Sequence, residues 1–371
     1  MPGVITLGRR CALDGEAEVS ALRAGLDFRL PRYRREVFLR FYEFHLRHRA
    51  HPGCVYYLLP WLGDHLGLDQ EQRLWLAFLN GNTQNPVTSY LIFRRYPNPA
   101  HVDLADLEAW CGREWARLAF DTDRRYQKKY LPQAARAYLS WARGDQGGRL
   151  ATLAGSSSRG ANFRPLWGWA SRLPGFGRLA TFSYLEYLRI TGVPVDCDDL
   201  LLGDHDGSRS HRNGLCKVLG RDDLDWHDGN PGFDGVYPPH VLAWLGHEAE
   251  LLLGEARARA AGQSWAGDVD YFTLESTLCT YKGWHRVDRR YPNVYNDMLH
   301  GRILQAERLW GERMGLFWEA RRACLPAALR CEDNPRLGGL CPPKQNHYRL
   351  TGEVIVMDLD WPCFANSYLS P

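Results

Sequence analysis

Residues 173–199 read LPGFGRLATFSYLEYLRITGVPVDCDD, and the reading of this stretch decides the fold. Leu173-Pro174-Gly175-Phe176-Gly177 is a tight turn: Pro ends one helix, and two glycines allow backbone angles closed to other residues. From Arg178 the apolar residues recur at helical spacing as far as Ile190, so the turn opens directly into a helix whose first amides point outward. Such amides carry partial positive charge, and a glycine without a side chain lets a phosphate oxygen approach the backbone, so Gly175, Phe176 and Gly177 are candidate DNA contacts. Many interhelical turns are turns and nothing more. Beyond the helix, Gly192 and Pro194 make a loop that leads to Asp196.

Working outward, the same periodicity predicts helix after helix. One runs from Tyr33 to Arg49. Asp69 with Gln72 forms a capping box before LWLAFLN, Asn85-Pro86 is an N-cap with a first-turn proline, and further helices start at Asp103 and Pro132. Downstream, helices are predicted over 178–190, 239–260, 268–281 and 294–322. The segment 144–161, GDQGGRLATLAGSSSRGA, is rich in Gly and Ser and reads as a linker or mobile loop. EVIVMDLD at 353–360 alone reads as a strand. The expected class is mainly α with a small C-terminal β element. The expected division is a helical N-terminal region 1–150, a central region 151–330 and an extension 331–371, the first two able to pack as one domain.

Composition narrows the chemistry. The 371 residues carry 46 basic and 43 acidic side chains, so a formal charge of +3 gives no overall polyanion signal, and contact with nucleic acid must come from local clusters. Forty-one of the basic residues are Arg, which supplies planar bidentate donors for phosphate. No run of about 18 apolar residues and no signal-type apolar core occurs, which predicts a soluble intracellular protein that does not enter a membrane. The 10 Cys include no CxxC pair and read as reduced, buried thiols. Cys324, Cys331, Cys341 and Cys363 with His347 fit no standard zinc spacing. No GK[ST], GxGxxG, HExxH or GxSxG is present, which excludes a P-loop kinase and the commonest dinucleotide, metalloprotease and hydrolase sites.

Two constellations carry charge. Asp196 is followed by Asp198, Asp199, Asp204 and Asp206, with His205 and His211 nearby; crowded carboxylates either prepare a general base or hold a divalent cation, the one cofactor the sequence suggests, and a solvated acidic loop is the plainer reading for the later members. In YKGWHRVDRRYPN (281–293), Lys282, His285, Arg286, Arg289 and Arg290 lie among Tyr281, Trp284 and Tyr291. Cations interleaved with aromatic faces suit phosphates and a base, although a solvated helix end with aromatics in the core gives the same pattern. Arg302, on the following helix, is a clamp for a carboxylate or a structural ion pair. NGNTQN (80–85) gathers amides that read a base edge, hold a carboxylate or cap a helix. Arg32 to Arg35, Arg94 to Tyr96 and Arg124 to Tyr130 are basic clusters that suit a DNA groove, although such a cluster alone is more often solvated surface.

Residues 173–196 resemble the helix-hairpin-helix DNA glycosylases, in which an LPGVG-type hairpin and helix lead through a Gly-x-Pro loop to a catalytic Asp, here Leu173 to Gly177, then Gly192 and Pro194, then Asp196. Where lyase-type members have a Lys, Leu179 stands, so Schiff-base chemistry is not expected. Asp198 replaces the usual His, and the iron–sulfur Cys spacing is missing.

Together with the N-terminal helices, the NGNTQNP loop and the YKGWHRVDRRYPN to GRILQAERLWGE block, this resembles the phage amino acid:DNA transferases, also described as α-glutamyl/putrescinyl-thymine pyrophosphorylases. The resemblance implies thymidine hypermodification in the cytoplasm of an infected host cell: double-stranded DNA carrying a pyrophosphorylated 5-hydroxymethyluracil loses pyrophosphate and gains an amino acid or other amine. For that reaction Asp196 or His285 suits the base, Lys282, Arg286, Arg289 and Arg290 the phosphates, Arg302 the amino-acid carboxylate, and Trp167, Trp169 or Trp284 the everted base. A glycosylase acting on a modified base, or a non-catalytic DNA-binding module, would use the same hairpin.

Overall fold

The computed structural model describes residues 31–47, 55–122, 124–204, 209–225, 236–282, 298–325 and 330. Among the described residues every regular element is helical, in agreement with the mainly α class. The expected strand at 353–360 lies outside them. In chain order the α-helices are α1 (Pro31–Arg47), α2 (Val55–His65), α3 (Gln70–Thr83), α4 (Pro86–Arg95), α5 (Leu104–Arg113), α6 (Arg124–Gln127), α7 (Leu131–Ala142), α8 (Gln146–Ala154) and α9 (Phe163–Ala170). They continue with α10 (Arg178–Ile190), α11 (Ser210–Val218), α12 (Pro239–Ala260), α13 (Tyr271–Tyr281), α14 (Met298–Trp310) and α15 (Gly315–Cys324). The chain divides into two compact units: Met1–Cys54, Asp199–Met298 and Leu325–Pro371 form the first, Val55–Asp198 and Leu299–Cys324 the second.

The second unit is built around α3. The capping box stands as the sequence predicts: Asp69 Oδ1 accepts from the Gln72 amide at 2.8 Å while Gln72 Oε1 accepts from the Asp69 amide at 3.1 Å. From Leu74 to Thr83 every residue is buried: the stretch to Leu79 is apolar on all sides, and the last turn buries the polar Asn80, Asn82 and Thr83. It crosses α10, whose residues from Ala180 to Leu188 are likewise buried. Between them lies an aromatic core in which Phe78 and Tyr138 stack at 4.0 Å and Phe176 meets Tyr184 edge-on at 5.8 Å. Trp169 belongs to this core, 4.2 Å from Trp141 and 8% exposed, so it is not placed to stack on an everted base.

Two other expectations are corrected. The supposed linker at 144–161 contains α8, because Asp145 caps it through the Gly148 amide and the Glu71 carboxylate accepts the Gln146 and Gly147 amides at 2.8 and 2.7 Å. Gly-rich composition conceals a well-capped helix start. The single helix expected over 294–322 is instead α14 and α15, divided where Gly311 takes a φ of +67° and Glu307 receives the Met314 amide at 3.0 Å.

In the first unit α1 packs against α11, α12 and α13. Helices α11 and α13 approach so closely that a Cβ on Gly214 would lie 2.1 Å from the Leu278 carbonyl oxygen. Phe38 meets Tyr281 edge-on at 5.2 Å, and buried Arg34 reaches Asp222 at 2.8 Å. The described cysteines Cys111, Cys216 and Cys279 are free, and burial pushes the Cys216 thiol up to about 12.

Candidate functional site

The second unit holds the glycine bend. Phe176 N–H donates to the Leu173 carbonyl at 2.9 Å, closing the turn, and Gly175 takes a φ of +76°. A Cβ there would lie 2.9 Å from Tyr130 Cβ, so both the backbone angle and the neighbour demand glycine. Gly177 is exposed and begins α10 with no side chain capping its first amides. The bend stands where the sequence puts it. The bend is anchored from behind by Arg124, 1% exposed, whose Nη1 donates to the Gly175 carbonyl and whose Nε donates to the Asn82 carbonyl at 2.8 Å.

That second bond joins the bend to the carboxamide segment, called the carboxamide loop although Asn80 to Thr83 form the last turn of α3 and only Gln84 and Asn85 lie between α3 and α4. Asn80, Asn82, Thr83, Gln84 and Asn85 are all buried. Asn85 is the N-cap of α4, accepting from the Val87 and Thr88 amides at 3.2 Å, as its sequence predicts. Gln84 adopts a left-handed φ of +52°, costly for a residue other than glycine, and its Oε1 accepts from Tyr187 Oη at 3.0 Å. Asn80 Nδ2 and Asn82 Oδ1 are buried with no hydrogen-bond partner among the described residues. Buried amides left unpaired are costly, and they concentrate here rather than along the apolar part of α3.

Arg302, on α14, borders the same loop. Its Nε lies 2.5 Å from Asp121 Oδ2, and the Asp121 amide donates to the Thr83 carbonyl at 2.9 Å. Arg302 is 10% exposed at its side chain, and no hydrogen bond from its terminal nitrogens occurs among the described residues. Burial and then the Glu186 charge raise the Tyr187 hydroxyl, which the Arg302 charge opposes.

Asp196 stands at the end of the Gly-x-Pro loop. Its backbone amide donates to the Arg159 carbonyl at 3.0 Å, and Asn162 Nδ2 donates to the Pro194 carbonyl at 2.7 Å, so the Ser-rich segment after α8 shapes the loop. The carboxylate lies between two guanidiniums, Arg159 Nε at 3.3 Å and Arg189 Nε at 3.2 Å. Asp198 is taken by Arg164 at 2.7 Å. The acidic run is thus partly neutralised by arginines. Among the described residues no group of three or more His, Cys, Asp or Glu side chains could hold a metal ion.

In the first unit, Lys282 is buried and its Nζ donates to Ser210 Oγ at the start of α11. His211 Nδ1 lies 3.3 Å from Glu275 Oε1, a buried pair with no signal in the sequence because its members are 64 residues apart. His285, Arg286, Arg289 and Arg290 lie outside the described residues, as do Asp206, Trp284 and the Cys331 to Cys363 set.

A model of the amino acid:DNA transferase family matches residues 60–232. Over that segment the chain is similar to the amino acid:DNA transferases. A curated relative, a serinyltransferase of Salmonella phage ViI, is 28% identical over 280 residues, which cover 71% of this chain and 66% of the relative. No solved structure matches. The segment shared with the amino acid:DNA transferases contains α3, the carboxamide loop, Arg124, the glycine bend and Asp196.

Sequence reasoning misses Asp121, Arg159 and Arg189 and reads Arg124 only as a surface cation, yet each of the four fixes a residue that it does single out. Arg124 opens the cluster Arg124 to Tyr130, which reads locally as a strip of surface cations. A cation in the middle of FDTDRRY, between buried Phe120 and half-buried Tyr130, is the available signal that one arginine turns inward.

Proposed function

We propose that this protein is a DNA-modifying transferase that replaces the pyrophosphate of 5-pyrophosphoryloxymethyl-uracil in phage DNA with an amino acid or other amine. The observation that carries the reading is that the segment matched by the transferase family has its glycine bend and its buried carboxamide loop joined through one guanidinium, Arg124. An element suited to a DNA backbone and an element rich in unpaired amides are thereby held as one piece.

The reaction makes definite demands. The amine nitrogen bonds to the exocyclic methylene carbon, the C–O bond breaks, pyrophosphate leaves with the electron pair, and the nitrogen gives up a proton. The site must therefore stabilise anionic oxygens and keep water from the electron-poor carbon. Asp196 is our candidate for receiving the proton. Its two guanidinium partners set a condition, since Arg159 or Arg189 must turn toward the departing phosphates before the carboxylate is open to an ammonium. Arg159, half exposed, has the room to do so. Arg302 would hold the carboxylate of an amino-acid donor, with its orientation fixed by Asp121. Lys282, Arg286, Arg289 and Arg290 are assigned to phosphate and His285 to proton transfer, on residue chemistry alone.

The test is direct. Purified protein is incubated with double-stranded DNA carrying 5-pyrophosphoryloxymethyl-uracil and a panel of amines, with serine first because of the phage relative's name. The DNA is digested to nucleosides and analysed by mass spectrometry. A new thymidine adduct is expected with at least one amine; no adduct with any of them removes the reading.

A further inference from the structure

Of the three basic clusters in the sequence, the structure distinguishes one. In Arg32 to Arg35, Arg34 is paired with Asp222 at 2.8 Å and Arg35 with Glu248 and Glu255 at 3.2 and 3.0 Å, which leaves exposed Arg32 as the one arginine of that cluster with no carboxylate within ion-pair distance among the described residues. In Arg94 to Tyr96, Arg94 is paired with Glu312 at 2.5 Å and Arg95 with Asp106 at 3.0 Å. Cations so neutralised offer little to a polyanion. In Arg124 to Tyr130 the exposed members Arg125 and Lys129 have no carboxylate within ion-pair distance among the described residues. The same holds for exposed Arg172, immediately before the glycine bend.

This unneutralised cluster is also the one built against the bend. Tyr130 Cβ is the atom that a Gly175 side chain would strike, and Arg124, the first residue of the cluster, donates to the Gly175 carbonyl. Two aromatic side chains accompany the charges. Tyr126 is 76% exposed and Trp115 is 45% exposed, which makes them two of the large apolar side chains most open to solvent among the described residues. Lys128 is spent on Trp115, donating to its carbonyl and lying 4.6 Å from its ring, which holds the indole beside the strip.

We propose that Arg125, Lys129 and Arg172, with Tyr126 between them, extend the glycine bend into a continuous DNA-docking face, the cations taking phosphates and Tyr126 stacking on a base. Uncompensated cations interleaved with an open aromatic face are what a nucleic-acid backbone with an accessible base requires. The inference rests on the reading that the protein acts on DNA, and it adds which surface receives the DNA.

The experiment is fluorescence anisotropy of the full chain with a labelled thymine-containing duplex, titrated across a range of NaCl concentrations. The triple variant Arg125→Gln, Lys129→Gln, Arg172→Gln is expected to bind at least tenfold more weakly at low salt. Its plot of log affinity against log salt should flatten by about 0.9 for each phosphate that the protein no longer neutralises. Tyr126→Ala should weaken binding roughly five- to a hundredfold with the slope kept, and Tyr126→Phe should restore it. Arg94→Gln with Arg95→Gln is the control and should leave affinity and slope unchanged. All these side chains are exposed, and an unchanged thermal midpoint checks that each variant is folded. Wild-type affinity and slope in the triple variant, or an equal loss in the control, would overturn the proposal. The adduct assay separates the two claims: adduct formation by a triple variant with normal DNA affinity removes the docking face and leaves the transferase. Salt-sensitive binding that disappears in the triple variant, with no adduct from any amine, removes the transferase and leaves the face.

Discussion

Arg124 holds Gly175 by its backbone carbonyl and, through the same guanidinium, holds the carbonyl of Asn82 at 2.8 Å. A residue on α6 thereby ties the bend before α10 to the last turn of α3. Removing this side chain leaves two carbonyl acceptors without their donor in the interior. Arg124→Gln is expected to cost about 2–4 kcal/mol of unfolding free energy, read from urea titration. Arg124→Lys should recover little of it, because one ammonium cannot span both carbonyls as a planar fork does.

The two glycines of the bend should respond differently to a methyl group. Gly175 has a φ of +76° and a Cβ position 2.9 Å from Tyr130 Cβ, so Gly175→Ala should destabilise by about 1–3 kcal/mol. Gly177 has a φ of −83° and nothing within 4 Å of its Cβ position. Gly177→Ala should therefore shift stability by no more than about 0.5–1 kcal/mol. If a phosphate docks on the bend, it should still weaken DNA binding, since the methyl stands where a phosphate oxygen must approach. Thermal midpoints and anisotropy read the two effects separately.

The contrast between those glycines shows what is legible in the sequence. Turn, helix and cap signals are local, so Asp69, Asn85, Asp103 and the bend are all placed from neighbouring residues. Arg302 stands out as a clamp or an ion pair, but its partner Asp121 lies 181 positions away, and nothing local marks such a pair. Shorter separations, 51 positions for Arg124 and Gly175 and 64 for His211 and Glu275, hide those pairs equally well. Asp196 is visible because a loop signature surrounds it, whereas Arg159, which sits opposite it, comes from a Ser-rich stretch that reads as linker. The helix α8 is concealed for a related reason: its start is stabilised by Glu71, a residue of another helix.

Gly214 gives a prediction for the first unit. A methyl there would lie 2.1 Å from the Leu278 carbonyl oxygen, which is backbone and cannot rotate away. Helices α11 and α13 would have to separate, so Gly214→Ala should cost about 3 kcal/mol or more, and circular dichroism on heating should show a markedly lower midpoint.

Asp222 supplies a pH dependence with a defined sign. Burial works to raise its pKa, but hydrogen bonds from Arg34 and Lys217 and their charges outweigh burial and hold it at about 2. A carboxyl whose folded pKa lies below its unfolded value stabilises the fold above that unfolded value and ceases to do so as pH falls through the folded one. The stability difference between wild type and Asp222→Asn should therefore be full above about pH 4 and shrink between about pH 4 and pH 2. The side chain is 44% exposed, so solvent screening reduces the size of the effect, and added salt should reduce it further. Urea titrations of both proteins at several pH values check the sign.

Arg302 separates a clamp from a simple structural pair. Its Nε faces Asp121 at 2.5 Å, and the terminal nitrogens donate no hydrogen bond among the described residues, which leaves a planar fork for a second carboxylate. If that carboxylate belongs to the amino-acid donor, Arg302→Lys keeps the charge toward Asp121 and loses the bidentate grip. The variant should then show kcat/KM for an amino acid reduced by roughly ten- to a hundredfold, mostly through KM, at the scale of one charge-assisted hydrogen bond. With the corresponding decarboxylated amine, which has nothing for the fork to hold, the variant and the wild type should react alike. An equal loss for both donors would mean that Arg302 serves only to hold Asp121 and the carboxamide loop in place. Asp121→Asn provides the complementary comparison: with the guanidinium no longer oriented, the amino-acid reaction should weaken while the amine reaction stays near its wild-type rate.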